Sequence, residues 1–221
     1  LLRITEARLL ADAPKRIRRT AEDARRQILD AAEARLARTG PAGIRLQDVA
    51  ADLGISHPVI LHHFGSREGL IRALTQRAVV ELKDRLIDVL RTADVETESI
   101  LGDVFNTFRG GLAQRLAWLA VAGADEDHEQ HATVMSELVR TVHEGRVAAA
   151  APGVTIDETD TRSIVYLVTA AAFGDAIFGA RLRKSAGLSA DDVGAFQHWF
   201  AELLHEHMRG VEGRAPPTAG Q

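Results

Sequence analysis

The chain has 221 residues, 46% of them apolar and none of them cysteine, with 27 basic against 31 acidic side chains and a net charge of −4. That apolar share supports a sizeable core and argues against global disorder; the length suits one large domain or a small plus a medium one. The absence of cysteine excludes disulfides, thiolate metal sites and cysteine nucleophiles.

Charge is unevenly spread. Residues 1–77 hold 14 basic and 9 acidic side chains, a balance of +5; residues 78–221 hold 13 and 22, a balance of −9. A basic end on an acidic remainder suggests that one end meets a polyanion. The opening stretch, LLRITEARLLADAPKRIRR, lacks the order of a signal peptide, and the Leu at position 1 leaves room for residues upstream. The most apolar run, residues 164–180, is short for a membrane span and carries Asp175, so a soluble, cytoplasmic protein is expected.

Helical patterns punctuated by Gly and Pro run along the chain, with no strand alternation. Residues 20–39 read as a helix capped by Thr20, with Asp23 three residues on and Ile28, Leu29, Ala32 and Leu36 as its apolar stripe. A short helix over 46–53 stops at Gly54. Another over 57–63 follows Ser56, a good N-cap, with Pro58 in its first turn. Gly65 ends it and Ser66 caps a helix running to about Arg91, with Leu70, Leu74, Ala78, Leu82, Leu86 and Leu90 along one side. Longer helices are predicted over 97–122, 126–150, 157–185 and 189–209. The fold class is all-α.

Residues 46–64 have the plan of a helix-turn-helix. Val49, Ala50 and Leu53 line the inside of the first helix, Gly54 gives the turn its permissive φ, and Ile55 plugs the corner. Ile60 and Phe64, at i and i+4, point inward; at 100° per residue, Pro58, Val59 and His62 point away, with Leu61 and His63 on the flanks. A recognition helix enters the major groove and reads bases with its N-terminal residues.

Residues 25–77 resemble the DNA-binding domain of the TetR family of transcriptional regulators. The resemblance rests on Gly54, Ile55, Ser56, Ile60, His63, Phe64, Arg67 and Glu68, which stand at the places of the family's pattern. Two residues depart from it: Leu61 stands where the family has a phosphate-contacting Tyr, and Arg45 where a Thr opens the first helix of the pair. The resemblance implies an N-terminal helix-turn-helix domain over 15–66, behind an extension at 1–14. A larger helical effector-binding and dimerisation domain over 67–210 would follow, and then a tail at 211–221. It further implies a homodimer that binds a palindromic double-stranded operator and is released by a small-molecule effector, hence a repressor, not an enzyme, with no cofactor or metal.

Carried over to this chain, Gln47, His57, Pro58, Val59 and His62 would face base edges, and Arg45, His63 and Arg67 would meet phosphates, with Ser56 and Leu61 beside them. Lys15, Arg16, Arg18 and Arg19 would reach along a groove or backbone, and the amides of residues 67–69 would offer a further phosphate site. Phe105, Phe108, Arg109, Leu112, Trp118, Leu119, Met135, Val139, His143, Tyr166 and Phe173 are the effector-pocket candidates.

Residues 164–182 are apolar nearly all round, which asks for burial on every face. The helix after them offers a second apolar stripe. Ala172, Ala176, Phe178, Gly179, Leu182, Phe196, Phe200, Leu203 and Leu204 are therefore the predicted interface between two copies.

Two other readings compete. One is a DNA-binding regulator without an effector, which a filled core around Trp118 and Phe105 would favour. The other is an all-α metal protein or enzyme using His128 and His131, whose H-E-Q-H run is one spacing short of a zinc motif.

Overall fold

A computed structural model describes residues 20–92, 97–121, 128–189 and 192–212, with backbone alone at 128–131 and 212. The described residues are helical and contain no strand. The helices are α1 (Ala21–Thr39), α2 (Leu46–Leu53), α3 (His57–Phe64), α4 (Arg67–Thr92), α5 (Thr97–Arg109), α6 (Leu112–Val121), α7 (His128–Ala149), α8 (Glu158–Ser185) and α9 (Gly194–Glu212).

The local signals act as their chemistry requires. The Thr20 hydroxyl accepts from the Asp23 amide at 3.1 Å and donates to its carboxylate at 2.8 Å, closing the first turn of α1. Gly40, at φ 67°, ends that helix, and a single 3₁₀ turn over Pro41–Gly43 leads into α2. Ile28, Leu29, Ala32 and Leu36 are buried, as the stripe predicts. Asp157 caps α8 by accepting from the Thr159 amide at 2.8 Å.

One predicted helix is two. The span 97–122 breaks between α5 and α6 at Gly110 and Gly111, where Gly111 takes φ 86°. Only glycine enters that region without strain, so the pair ends one helix and redirects the next. The break turns α6 back onto α4.

There are two cores. The first joins α1, α2, α3 and α4 as far as Ala78, and it also takes Leu112 and Leu119 from α6, with Leu116 and Trp118 packed against it. The second gathers Leu86 and Ile87 of α4 with α5, α7, α8 and α9. The division expected at residues 66 and 67 lies just ahead of α4, a helix that serves both cores.

α8 is 28 residues long and, by length and composition alone, apolar enough to cross a bilayer. It exceeds the apolar run of residues 164–180 at both ends, beginning at Glu158 and continuing to Ser185. A π-helical turn over Asp175–Gly179 inserts one extra residue there. The Asp175 carboxylate is buried in an ion pair with Arg109 of α5 (2.6 Å) and another with Arg183 two turns on. A Cβ at Gly179 would overlap that carboxylate, so this position has room for hydrogen only.

Candidate nucleic-acid interface

The helix pair is assembled from inside. α2 buries Leu46, Val49 and Ala50, then stops at Gly54 in the left-handed region (φ 62°, ψ 32°). The Gly54 amide reaches the carbonyl of Ala51 and the Ile55 amide that of Ala50, a C-cap that turns the chain sharply into α3. Ile60 is 0% exposed, and Phe64 packs beside it on the first core. The Arg25 guanidinium lies over the Phe64 ring, 4.7 Å from its centroid, and covers it from the α1 side.

Arg35 of α1 fixes α2 from the other side. It grips Asp52 with two hydrogen bonds of 2.9 Å and donates to the Asp48 carbonyl at 3.2 Å. The Arg35 hydrogen bond outweighs desolvation and, with the nearby positive charge, holds the Asp52 carboxyl below the usual range. The sequence reading missed this pair, whose members stand 17 positions apart.

What remains outside is one continuous face. Arg45, Gln47, Ser56, Pro58, Val59, Leu61 and His62 are exposed, while His57 and His63 are half-buried. Ser56 occupies the N-cap position of α3 with extended backbone, yet its hydroxyl makes no capping bond. The cap expected there is therefore positional only. The Val59 amide is met instead by the Ser56 carbonyl at 3.0 Å.

Two expected phosphate sites look different in three dimensions. Arg67 turns inward: its Nε donates to the Ile44 carbonyl at 2.8 Å and an Nη to that of Pro41 at 3.2 Å, tying the start of α4 to the 3₁₀ turn. The amides opening α4 are already answered within the chain. Ser66 Oγ accepts from the Gly69 amide at 3.1 Å. The Glu68 carboxylate is held below its usual range by a backbone N–H of its own residue and by the Ser66 hydroxyl. An incoming phosphate would have to displace both groups. Lys15, Arg16, Arg18 and Arg19 lie outside the described residues.

The effector candidates scatter. Phe105 and Phe108 are fully buried, and Phe105 meets Phe196 and Phe200 edge-to-face at 6.0 and 6.3 Å. Phe173 meets Phe108 the same way. Leu112 and Leu119 lie in the first core with Trp118 against it, Arg109 is paired with Asp175, and Tyr166 is 70% exposed. These eight are spread over both cores and the surface. Met135, Val139 and His143 share one space: with Ala132, Ser136, Arg140, Glu158 and Arg162 they line a groove of about 510 Å³ between α7 and the start of α8. His143 Nδ1 sits 3.1 Å from Thr161 Oγ1, to which Arg146 also donates at 2.7 Å.

Of the predicted partner-facing residues, Ala172, Gly179, Phe200 and Leu204 are covered by their own chain, and Ala176 and Phe196 are half-covered. The reason is that α9 packs on α5, where Phe196 stacks on Phe200 with centroids 5.8 Å apart. Phe178, Leu182 and Leu203 are exposed. Tyr166, Leu167 and Trp199, which the reading had not assigned to this surface, are exposed apolar side chains on the same two helices. The side chains of His128 and His131 lie outside the described residues. Among those described, no group of three or more His, Asp and Glu side chains is arranged to hold a metal.

The fold and this face have the plan of a helix-turn-helix protein: a small three-helix head joined to a larger helical body. Residues 28–74 match the family model described as bacterial regulatory proteins, tetR family. The HTH-type transcriptional regulator BetI of Escherichia coli is 27% identical over 101 residues, which are 43% of this chain and 52% of BetI. The chain thus spans about half the length of the curated relatives it matches. A TetR-family transcriptional regulator from Pectobacterium atrosepticum superimposes with a TM-score of 0.62 at 17% identity, covering 91% of this chain and all of the other. A candidate regulator from Saccharomonospora viridis, solved in complex with choline, gives 0.60 at 22% identity, covering 82% and 96%. The family match itself covers the helix-turn-helix head, and the solved structures share the fold of the whole.

Proposed function

We propose that the chain is a cytoplasmic, ligand-responsive repressor that binds a palindromic operator as a homodimer and leaves it when a small molecule binds. The observation that carries the DNA reading is the two-sided α3. Its inner side is sealed by Ile60 and Phe64, and its outer side is exposed among the described residues. Gln47, Pro58, Val59 and His62 read base edges, and Arg45 with the Lys15–Arg19 arm meets phosphates. Selection of bound duplexes from a random pool tests this: the expected product is an inverted repeat, and recovery of no sequence over bulk competitor removes the proposal.

Support for the dimer is the apolar surface that Tyr166, Leu167, Phe178 and Leu182 of α8 and Trp199 and Leu203 of α9 leave uncovered. Exposed patches of this kind mark interaction sites in soluble proteins. Support for the effector site is the α7–α8 groove. Among the described residues no Phe, Tyr or Trp lines it, which leaves no aromatic cage for a quaternary ammonium such as choline, and Arg140 and Arg162, now paired with Glu144 and Glu158, would take an anionic group by exchanging those partners. Operator affinity measured with and without candidate ligands tests release, and equal affinities would remove it.

One observation favours a second reading, a DNA-binding regulator without an effector. Phe105 and Phe108 are fully buried, with their rings packed edge-to-face against Phe196, Phe200 and Phe173. Calorimetric titration with anionic amphiphiles separates the readings, since only the first expects heat that His143→Ala or Arg162→Ala diminishes.

A further inference from the structure

The outer surface of α3 is unusual for something expected to read hydrogen-bonding base edges. Its exposed side chains are Pro58, Val59, Leu61 and His62, so three of the four are apolar. Val59 is 38% exposed and Leu61 37%. No Arg, Lys, Asn, Asp or Glu stands on the helix. Exposed polar side chains outside the helix are Ser56, at its N-cap, and Arg45 and Gln47, at the start of α2.

An apolar side chain pressed onto a polar base edge strips water from groups it cannot bond, which is costly. The major groove offers one apolar feature on unmodified DNA, the C5-methyl of thymine. Resting on the reading of α3 as the recognition helix, we infer that Pro58 and Val59 are specificity-determining residues that read thymine through its C5-methyl group. His62 and Gln47 supply the hydrogen bonds between and beside those contacts. Val59 and Leu61 lie on opposite flanks of the outer face, with Pro58 and His62 between them. Pro58 and Val59 fall at the N-terminal end, where a recognition helix reaches deepest. Pro58 suits the role for a further reason: it has no amide proton and a locked φ, so it presents a rigid apolar surface at no conformational cost.

The test uses the full chain and the duplex it selects from a random pool. Each thymine is replaced singly by uracil, which removes the methyl group and leaves every hydrogen bond in place. The expected result is one or two sensitive positions per half-site, each losing about fourfold in affinity, with 5-bromouracil restoring it because bromine fills the space of the methyl. Val59→Ala then abolishes the thymine–uracil difference at one of these positions and keeps it at the other, and Pro58→Ala does the reverse. Both side chains are exposed, so neither change touches the core. Specific binding that ignores uracil at every position overturns the inference and leaves the DNA reading standing. So does sensitivity that persists unchanged in both variants, because that would reflect duplex stiffness. A chain that prefers no duplex overturns the DNA reading and this inference together.

Discussion

Arginine does three different jobs in the head of this protein. Arg25 covers a ring, Arg35 pins α2, and Arg67 ties the start of α4 to the turn before α2. Arg67→Ala should therefore act on folding first. Losing two hydrogen bonds from a charged donor to half-buried carbonyls should cost about 1–3 kcal/mol, read as a lower urea midpoint with an unchanged slope. A pure phosphate contact would leave that midpoint alone and alter only the salt dependence of binding. Asp52 makes a pH-dependent prediction. Its folded carboxyl titrates below its unfolded value, so its pair with Arg35 stabilises above the ordinary carboxylate range and is lost as pH falls through the depressed value. Asp52→Asn should flatten the fall of stability below about pH 4, followed by thermal melts across an acid series. A variant as acid-sensitive as the parent would show that the pair contributes nothing.

At the level of helices, what was readable from sequence was what a few neighbouring residues decide. Thr20 with Asp23, Gly54 in its left-handed turn, and Ile60 with Phe64 one turn apart are all local, and they came out as the pattern said. The pairing of Asp175 with Arg109 was out of reach in this way, because Arg109 lies 66 positions away and only the packing of α5 against α8 brings it close. The aromatic spacing around Phe105 and Phe108 announced burial but could not say whether the space they face is filled. The nearly all-round apolarity of α8 likewise hid which strip stays outside, since the π turn shifts the register after Asp175. Gly179→Ala should report on that turn. The added methyl has to push the Asp175 carboxylate off its arginines, an overpacking cost of about 1–3 kcal/mol, and hydrogen exchange should rise along the second half of α8. Unchanged stability would mean that the turn relaxes freely.

At the scale of the whole molecule, ion pairs reinforce the packing of α6 and α4 on α1. Arg115 of α6 pairs with Glu33 of α1 and, at 2.7 Å, with Glu81 of α4. Arg77 adds bonds to Asp30 and Glu33. Arg115→Ala should leave operator affinity in the absence of effector within a few-fold and reduce the change that effector produces, measured as the ratio of the two dissociation constants. An unaltered ratio would place the coupling elsewhere. Leu182→Glu, on the uncovered strip, should shift sedimentation toward the monomer and weaken operator binding in parallel, because a buried charge without a partner is costly. Weakened binding by a molecule that still sediments as a dimer would dissociate the strip from assembly.

α4 spans 26 residues and belongs to both cores, so it is a rod of roughly 39 Å at the usual helical rise. Swivelling such a rod by about 5° around its far end carries its near end sideways by roughly 3 Å, close to the 3.4 Å axial step between neighbouring base pairs. In the proposed dimer, a disturbance near Leu86 and Ile87 too slight to alter any helix would thus be enough to put the two heads out of phase with an operator's grooves.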